Sequence, residues 1–136
     1  PPASDQGARV ALETLAAEGV RRAVVSNTMR TPGEVVRQVL AQSELLPLFQ
    51  VLTFSDECRI RKPAPAIFRL TLAALGVGPE DAVHVGDDPI LDVEGALDAG
   101  LRVIQATSDG RATGPVKPDA VIRDLGELPA ALGRLR

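Results

Sequence analysis

Three carboxylates, Asp87, Asp88 and Asp92, fall in the stretch VHVGDDPILDVEGA, where an apolar run ends at Gly86 and a helical pattern begins. Acids set this close repel one another and raise each other's pKa, a cost that a divalent cation removes by bringing opposite charge. Mg2+ is the natural occupant, because hard oxygen ligands suit it and because it keeps waters or shares a substrate phosphate in place of a full protein cage. Two other polar groups follow apolar runs in the same way. Ser26-Asn27-Thr28 offers a hydroxyl and neighbouring backbone N–H groups, a short donor set suited to a phosphoryl oxygen. Arg61-Lys62-Pro63 brings a point positive charge before a proline that fixes its loop.

Each group also has a plainer reading. Asp87 or Asp88 can simply favour the positive end of a helix dipole, Ser-Asn after a strand is ordinary turn chemistry, and a lone Lys-Pro is ordinary surface. His84 lies inside an apolar run, where a satisfied buried hydrogen bond is expected of it. Cys58 follows two acids, which do nothing to favour a thiolate, so it reads as structural.

The elements that must carry these groups alternate along the chain. Residues 6–18 are spaced at helical period and stop at Gly19, and AVVSN at 23–27 is a continuous apolar strand of the kind buried on both faces. Thr31 is placed to cap a helix with Pro32 at its first position, running through Leu40. QVLTFS at 50–55 reads as a strand, 64–75 as a helix, and AVHVG at 82–86 as a strand again. A helix is expected from about Asp92 to Ala99, then strands at 102–106 and 120–122 around a Gly/Pro-interrupted loop, and a last helix near 126–135. Alternation of this kind specifies parallel βαβ units and an α/β fold, with helices on both faces of an open sheet. Ligands of such sheets gather beyond the carboxyl ends of the strands, where all three polar clusters lie.

Composition bounds the rest. With 136 residues, 45% hydrophobic and 24% charged, the chain has the size and balance of one domain spanning 1–136. A net charge of −3 argues against a nucleic-acid partner or an anionic membrane surface, both of which require a basic face. One cysteine cannot form an internal disulfide and no apolar run is long enough to span a bilayer, which fits a reduced cytoplasm and a small-molecule substrate.

The order AVVSNT, RKPAPAIF, HVGDDPILDVEGALDAG closely resembles the second, third and fourth motifs of the haloacid dehalogenase (HAD) superfamily of hydrolases, over about residues 8–107. The resemblance implies a Rossmann-like three-layer parallel sheet, Mg2+, and phosphoryl transfer through an aspartyl-phosphate. By motif position, Ser26 with Asn27 would bind the phosphoryl group, Lys62 would balance charge on nucleophile and phosphate, and Asp87 would hold Mg2+ with Asp92 supporting it. Asp88 stands where many relatives carry Ser.

The family opens with an apolar strand ending in DxDx[TV], whose first Asp is the covalent nucleophile. No D-x-D occurs in these residues, and Asp5 follows no apolar strand. The expectation is therefore a core domain that begins after that motif, lacks the family's central strand and does not turn over alone. Only 35 residues separate Ser26 from Lys62, too few for an inserted cap, so no cap domain is expected within the chain. Segments 22–27 and 82–86 would flank the missing strand. An ordered structure is expected to fill that slot with an upstream segment, with a strand from a second copy, or by pairing the two segments directly. A phosphatase for a small phosphorylated metabolite is the leading function. A haloacid dehalogenase, which needs no metal, and a non-catalytic binding module on the same fold are the alternatives.

Overall fold

Neighbouring residues of a strand face opposite ways, and Val103 and Ile104 show what lies on each side. Val103 packs into a cluster with Ile67, Phe68, Leu72 and Val93, while Ile104 joins a second cluster with Ala11, Leu15, Ile122 and Leu128. The strand between them is covered by helices on both faces, which makes three layers. The computed structural model describes residues 2–28 and 31–135, with side chains from residue 7 onward.

The chain runs α1 (Pro2–Ala17), β1 (Ala23–Ser26), α2 (Gly33–Gln42), β2 (Val51–Phe54), a single turn α3 (Ser55–Cys58), and α4 (Pro65–Leu75). There follow β3 (Val83–Gly86), a wide π-type helical stretch (Pro89–Glu94) continuing into α5 (Gly95–Asp98), β4 (Arg102–Ala106), β5 (Ala120–Ile122) and α6 (Leu128–Leu135). β1 pairs in parallel with β2, and β3, β4 and β5 form a second parallel sheet in that order. In the second sheet Gly86 stands opposite Gln105. All five expected strands are present within a residue or two of the expected ranges.

β1 and β3 are not hydrogen-bonded to each other. Between them lies a cleft of about 800 Å³, walled by Val24 and Val25 on one side, Val83 and Val85 on the other, with Leu15 of α1 and Leu72 of α4 also lining it. Direct pairing of the two segments, one of the expected ways of filling the slot, is thus not the arrangement adopted. Val25 packs with the α4 cluster, whereas Val83 and Val85 pack with the α1 and α6 cluster, so each strand is already committed to helices that hold it in place.

Three boundaries differ from expectation, two of them for identifiable reasons. α1 begins at Pro2, four residues before the expected 6–18. Thr31 does not cap α2: Pro32 occupies the cap position with no side-chain bond, and the Gly33 N–H is received by both carboxylate oxygens of Asp56, at 3.1 and 3.2 Å. A cap supplied from α3 satisfies the same orphan donor as a local one, but no local pattern announces it. The helix after β3 begins at Pro89, not Asp92, because Asp88 takes the cap position and Pro89 the first helical one.

Candidate active site

The carboxyl ends of β1 and β3 and the loop before α4 converge through one ion pair. Lys62 Nζ lies 2.6 Å from Asp92 Oδ1, with the two side chains only 12% and 4% exposed. His84, on β3, brings Nε2 to 2.9 Å from the same oxygen, so that nitrogen carries the hydrogen. The His84 ring is held edge-on to Phe68, centroids 5.0 Å apart. Asn27 fixes Lys62 from the other side: its Nδ2 donates to the Lys62 carbonyl at 3.1 Å and its Oδ1 accepts the Lys62 N–H at 2.8 Å. The Lys62–Pro63 peptide is cis. Side chains from three motifs far apart in sequence are therefore locked into one cluster.

The acidic turn is built around Asp92. A Cβ on Gly86 would meet the Asp92 carboxyl carbon at 2.3 Å, so only glycine lets the end of β3 pass this close. Asp92 Oδ2 accepts the Asp88 N–H at 3.0 Å. Burial alone would push the Asp92 carboxyl up. Hydrogen bonds from His84 and Lys62, the Lys62 charge and the Asp88 N–H outweigh it and hold the group well below the usual carboxylate range. Asp88 acts on the backbone instead, since its Oδ1 accepts the N–H groups of Ile90 and Leu91, both at 2.8 Å, and so caps the helix. Asp87 is exposed, and no other described residue engages its carboxylate.

Ser26 is the last residue of β1, half-buried, and the segment after it is tied down by α3. The Thr28 N–H donates to Ser55 Oγ at 2.8 Å, and the Thr28 hydroxyl donates to Asp56. That hydroxyl is the largest influence lowering the Asp56 carboxyl from its ordinary pKa, with the Gly33 N–H adding to it. Asp56 thus holds both sides of the 28–33 connection.

Of the residues read from sequence, Asn27, Lys62 and Asp92 are brought into direct contact, Asp87 stands at the open rim of the same turn, and Ser26 precedes Asn27 at the end of β1. Asp56 and His84 are additions that sequence reasoning does not place at the site. His84 does make the buried hydrogen bond its place in a strand suggests, and its partner is what brings it into the cluster. No local signal marks Asp56, because its partners lie more than twenty residues away.

Among the described residues no three His, Cys, Asp or Glu side chains gather as a metal cage. The donor set suits a cation of another kind. Asp88 is engaged as a cap and Asp92 is neutralised by Lys62, which leaves Asp87 as an uncompensated carboxylate at the rim. One or two carboxylates, with waters and a substrate phosphate, are what Mg2+ ordinarily takes.

The family model for haloacid dehalogenase-like hydrolases matches residues 4–100. The chain is 38% identical over 96 residues to a phosphoserine phosphatase of Thermus thermophilus, covering 70% of this chain and 39% of that protein. A HAD phosphatase structure from Thermococcus onnurineus superposes with a TM-score of 0.80 at 34% identity, covering 90% of this chain and 55% of the other. A 2-haloacid dehalogenase structure from Pseudomonas syringae does so with a TM-score of 0.81 at 32% identity, over 96% and 53%. The chain spans about half or less of the length of these proteins. A family match over most of the chain, and a Lys62–Asp92 pair joining the motifs that suggested it, establish that this chain belongs to the haloacid dehalogenase-like hydrolase family.

Proposed function

We propose that this chain supplies the phosphate- and metal-binding part of a Mg2+-dependent phosphatase for a small phosphorylated metabolite, working through an aspartyl-phosphate whose nucleophile sits on a strand between β1 and β3. The observation that carries the reading is the Lys62–Asp92 pair, which gathers groups from three segments at the end of the cleft where both unpaired strand edges finish. Lys62 has three N–H donors and gives one to Asp92, leaving two for phosphoryl oxygens. Asn27 and Asp92 hold that ammonium at a set position, so its charge is in place before charge develops on the substrate. Ser26, with the Asn27 N–H beside it, completes the phosphoryl cradle. Asp87, with Asp92 steadying the turn behind it, would hold Mg2+, whose charge would add to that of Lys62 at the phosphoryl oxygens.

The cleft favours a strand as its occupant. Each flanking strand has one paired and one free edge, and the walls are apolar on the side of α1 and on the side of α4. A strand fitting there is apolar on both faces, as in a buried parallel sheet, and carries its carboxylate at the end nearest Lys62. We take the occupant to be an upstream segment, with a strand from a second copy as the competing source. The likeness to the Pseudomonas syringae dehalogenase keeps a metal-independent dehalogenase as the second reading. The chain shows no helix among its described residues long and apolar enough to cross a membrane, and we place the protein in the cytoplasm.

The test supplies the 136-residue chain with a synthetic apolar peptide ending in Asp-x-Asp and follows p-nitrophenyl phosphate hydrolysis. The expected result is no turnover by the chain alone and Mg2+-dependent turnover with the peptide. Undiminished hydrolysis in excess chelator would refute the metal-dependent reading.

A further inference from the structure

Gln105 is 0% exposed near the carboxyl end of β4, after the buried Val103 and Ile104, at a place where an apolar side chain would pack without needing partners. Its amide is nonetheless satisfied. Nε2 donates to the Asp87 carbonyl at 3.1 Å and to Thr113 Oγ1 at 2.7 Å, and Oε1 accepts the Thr113 N–H at 3.1 Å. Both amide hydrogens and one acceptor site are thereby used.

The Asp87 carbonyl and the Asp88 N–H belong to one peptide plane. Gln105 holds the carbonyl end from β4, and Asp92 Oδ2 holds the N–H end at 3.0 Å from the helix. A planar unit gripped at both polar ends cannot rotate, which, with β3 holding the residue before it, sets the ψ angle of Asp87 and with it the direction of the Cα–Cβ bond that carries its carboxylate. The loop beyond β4 shares the junction through Thr113. It also presses on the turn directly, since a Cβ on Gly114 would lie 2.4 Å from Cβ of Pro89.

We propose that Gln105 is a positioning residue for Asp87: it grips the 87–88 peptide together with Asp92, and couples the loop around Thr113 to the aim of the rim carboxylate. The proposal rests on Asp87 as the Mg2+ ligand. Groups behind a ligand that fix its orientation typically change metal affinity about 10- to 100-fold when removed. The same junction locks the backbone whether or not a metal is bound.

The experiment measures two readouts in the purified chain, Mn2+ affinity by electron paramagnetic resonance and hydrogen exchange at the Asp88 amide. Gln105→Met keeps the size of the side chain and removes every hydrogen bond. Thr53→Val serves as a purely structural control, because it removes a buried hydroxyl 2.8 Å from Thr71 in the β2–α4 contact, away from the acidic turn. Expected are a loss of Mn2+ affinity of about 10- to 100-fold in Gln105→Met, faster exchange at Asp88, and neither effect in Thr53→Val. Unchanged Asp88 exchange in Gln105→Met overturns the proposal, as does a loss of Mn2+ affinity in Thr53→Val equal to that in Gln105→Met. An Asp87→Asn variant that binds Mn2+ as well as the unaltered chain would instead remove Asp87 as ligand, and the Asp88 exchange then decides on Gln105 alone.

Discussion

Asp92 and Asp87 stand on the same turn under opposite constraints. Asp92 is 4% exposed, with Lys62 and His84 on one oxygen and the Asp88 N–H on the other, while Asp87 is exposed and meets no described side chain. A buried carboxylate keeps its charge only where partners replace the lost water, so the Asp92 charge is a consequence of the fold and in turn orders the fold around it. An exposed carboxylate needs no such partners and remains able to meet an incoming cation. Between the two, Asp88 uses its Oδ1 on two backbone N–H groups. Three acids of one motif are divided into an organiser, a cap and a free carboxylate by the partners that the surrounding elements bring to each.

The sharpest test of that division is Asp87→Asn. With the proposed nucleophile strand supplied as a peptide, Mg2+-supported p-nitrophenyl phosphate turnover is expected to fall on the order of 10³-fold, about 4 kcal/mol of lost charge stabilisation. Stability in urea should change by no more than about 0.5 kcal/mol. A large loss of stability would erase the contrast with Asp92.

Asp92→Asn should behave in the opposite sense. It strands Lys62 in a mostly buried position, and the expected loss in chemical denaturation is about 3–5 kcal/mol. The pH dependence follows from the lowered Asp92 pKa. A carboxyl depressed in the folded state contributes its full stability above the unfolded value of about 3.9 and loses it as pH falls below that. The unaltered chain is therefore expected to lose stability on acidification from about pH 5 to pH 2, with a visibly smaller loss in Asp92→Asn. Equal acid slopes would show that Asp92 is not the group responsible.

Lys62→Ala removes the charge that pairs with Asp92 and that, in the proposed function, faces the phosphoryl group. Turnover with the peptide supplied should fall about 10²-fold, chiefly in kcat, because the ammonium acts where charge develops. Near-normal kcat would return Lys62 to a structural role as the counter-ion of Asp92. The smallest effect belongs to the third acid: Asp88→Ala should cost about 1 kcal/mol of stability through the lost cap and leave Mg2+ dependence in place. Loss of Mg2+ dependence in that variant would make Asp88 a ligand and break the division at its middle member.

Much of this is legible in the sequence, and the remainder divides by range. The strands at 23–27, 82–86 and 102–106 announce themselves as short apolar runs, since burial on both faces of a parallel sheet leaves little freedom of composition. The Asp88-Pro89 start of the helix after β3 is also written locally, as a capping residue followed by proline, but the third acid draws the expected start to Asp92. The Asp56 cap on α2, the His84–Asp92 bond and the Gln105 grip on the 87–88 peptide have no local mark.

Periodicity, turn residues and the order of three motifs were enough to specify an α/β chain with its polar groups at the strand ends, because these depend on neighbours within a few positions. Which carboxylate is buried and which is free depends on Lys62, thirty residues before Asp92, and on a β4 amide that reaches Asp87 across the β3–β4 pair. The cleft between β1 and β3 is of the same kind. Each strand reads alike in sequence whether one or both of its edges are paired, and the tertiary structure is what sets the two edges apart, with residues of α1 and α4 lining the space between them.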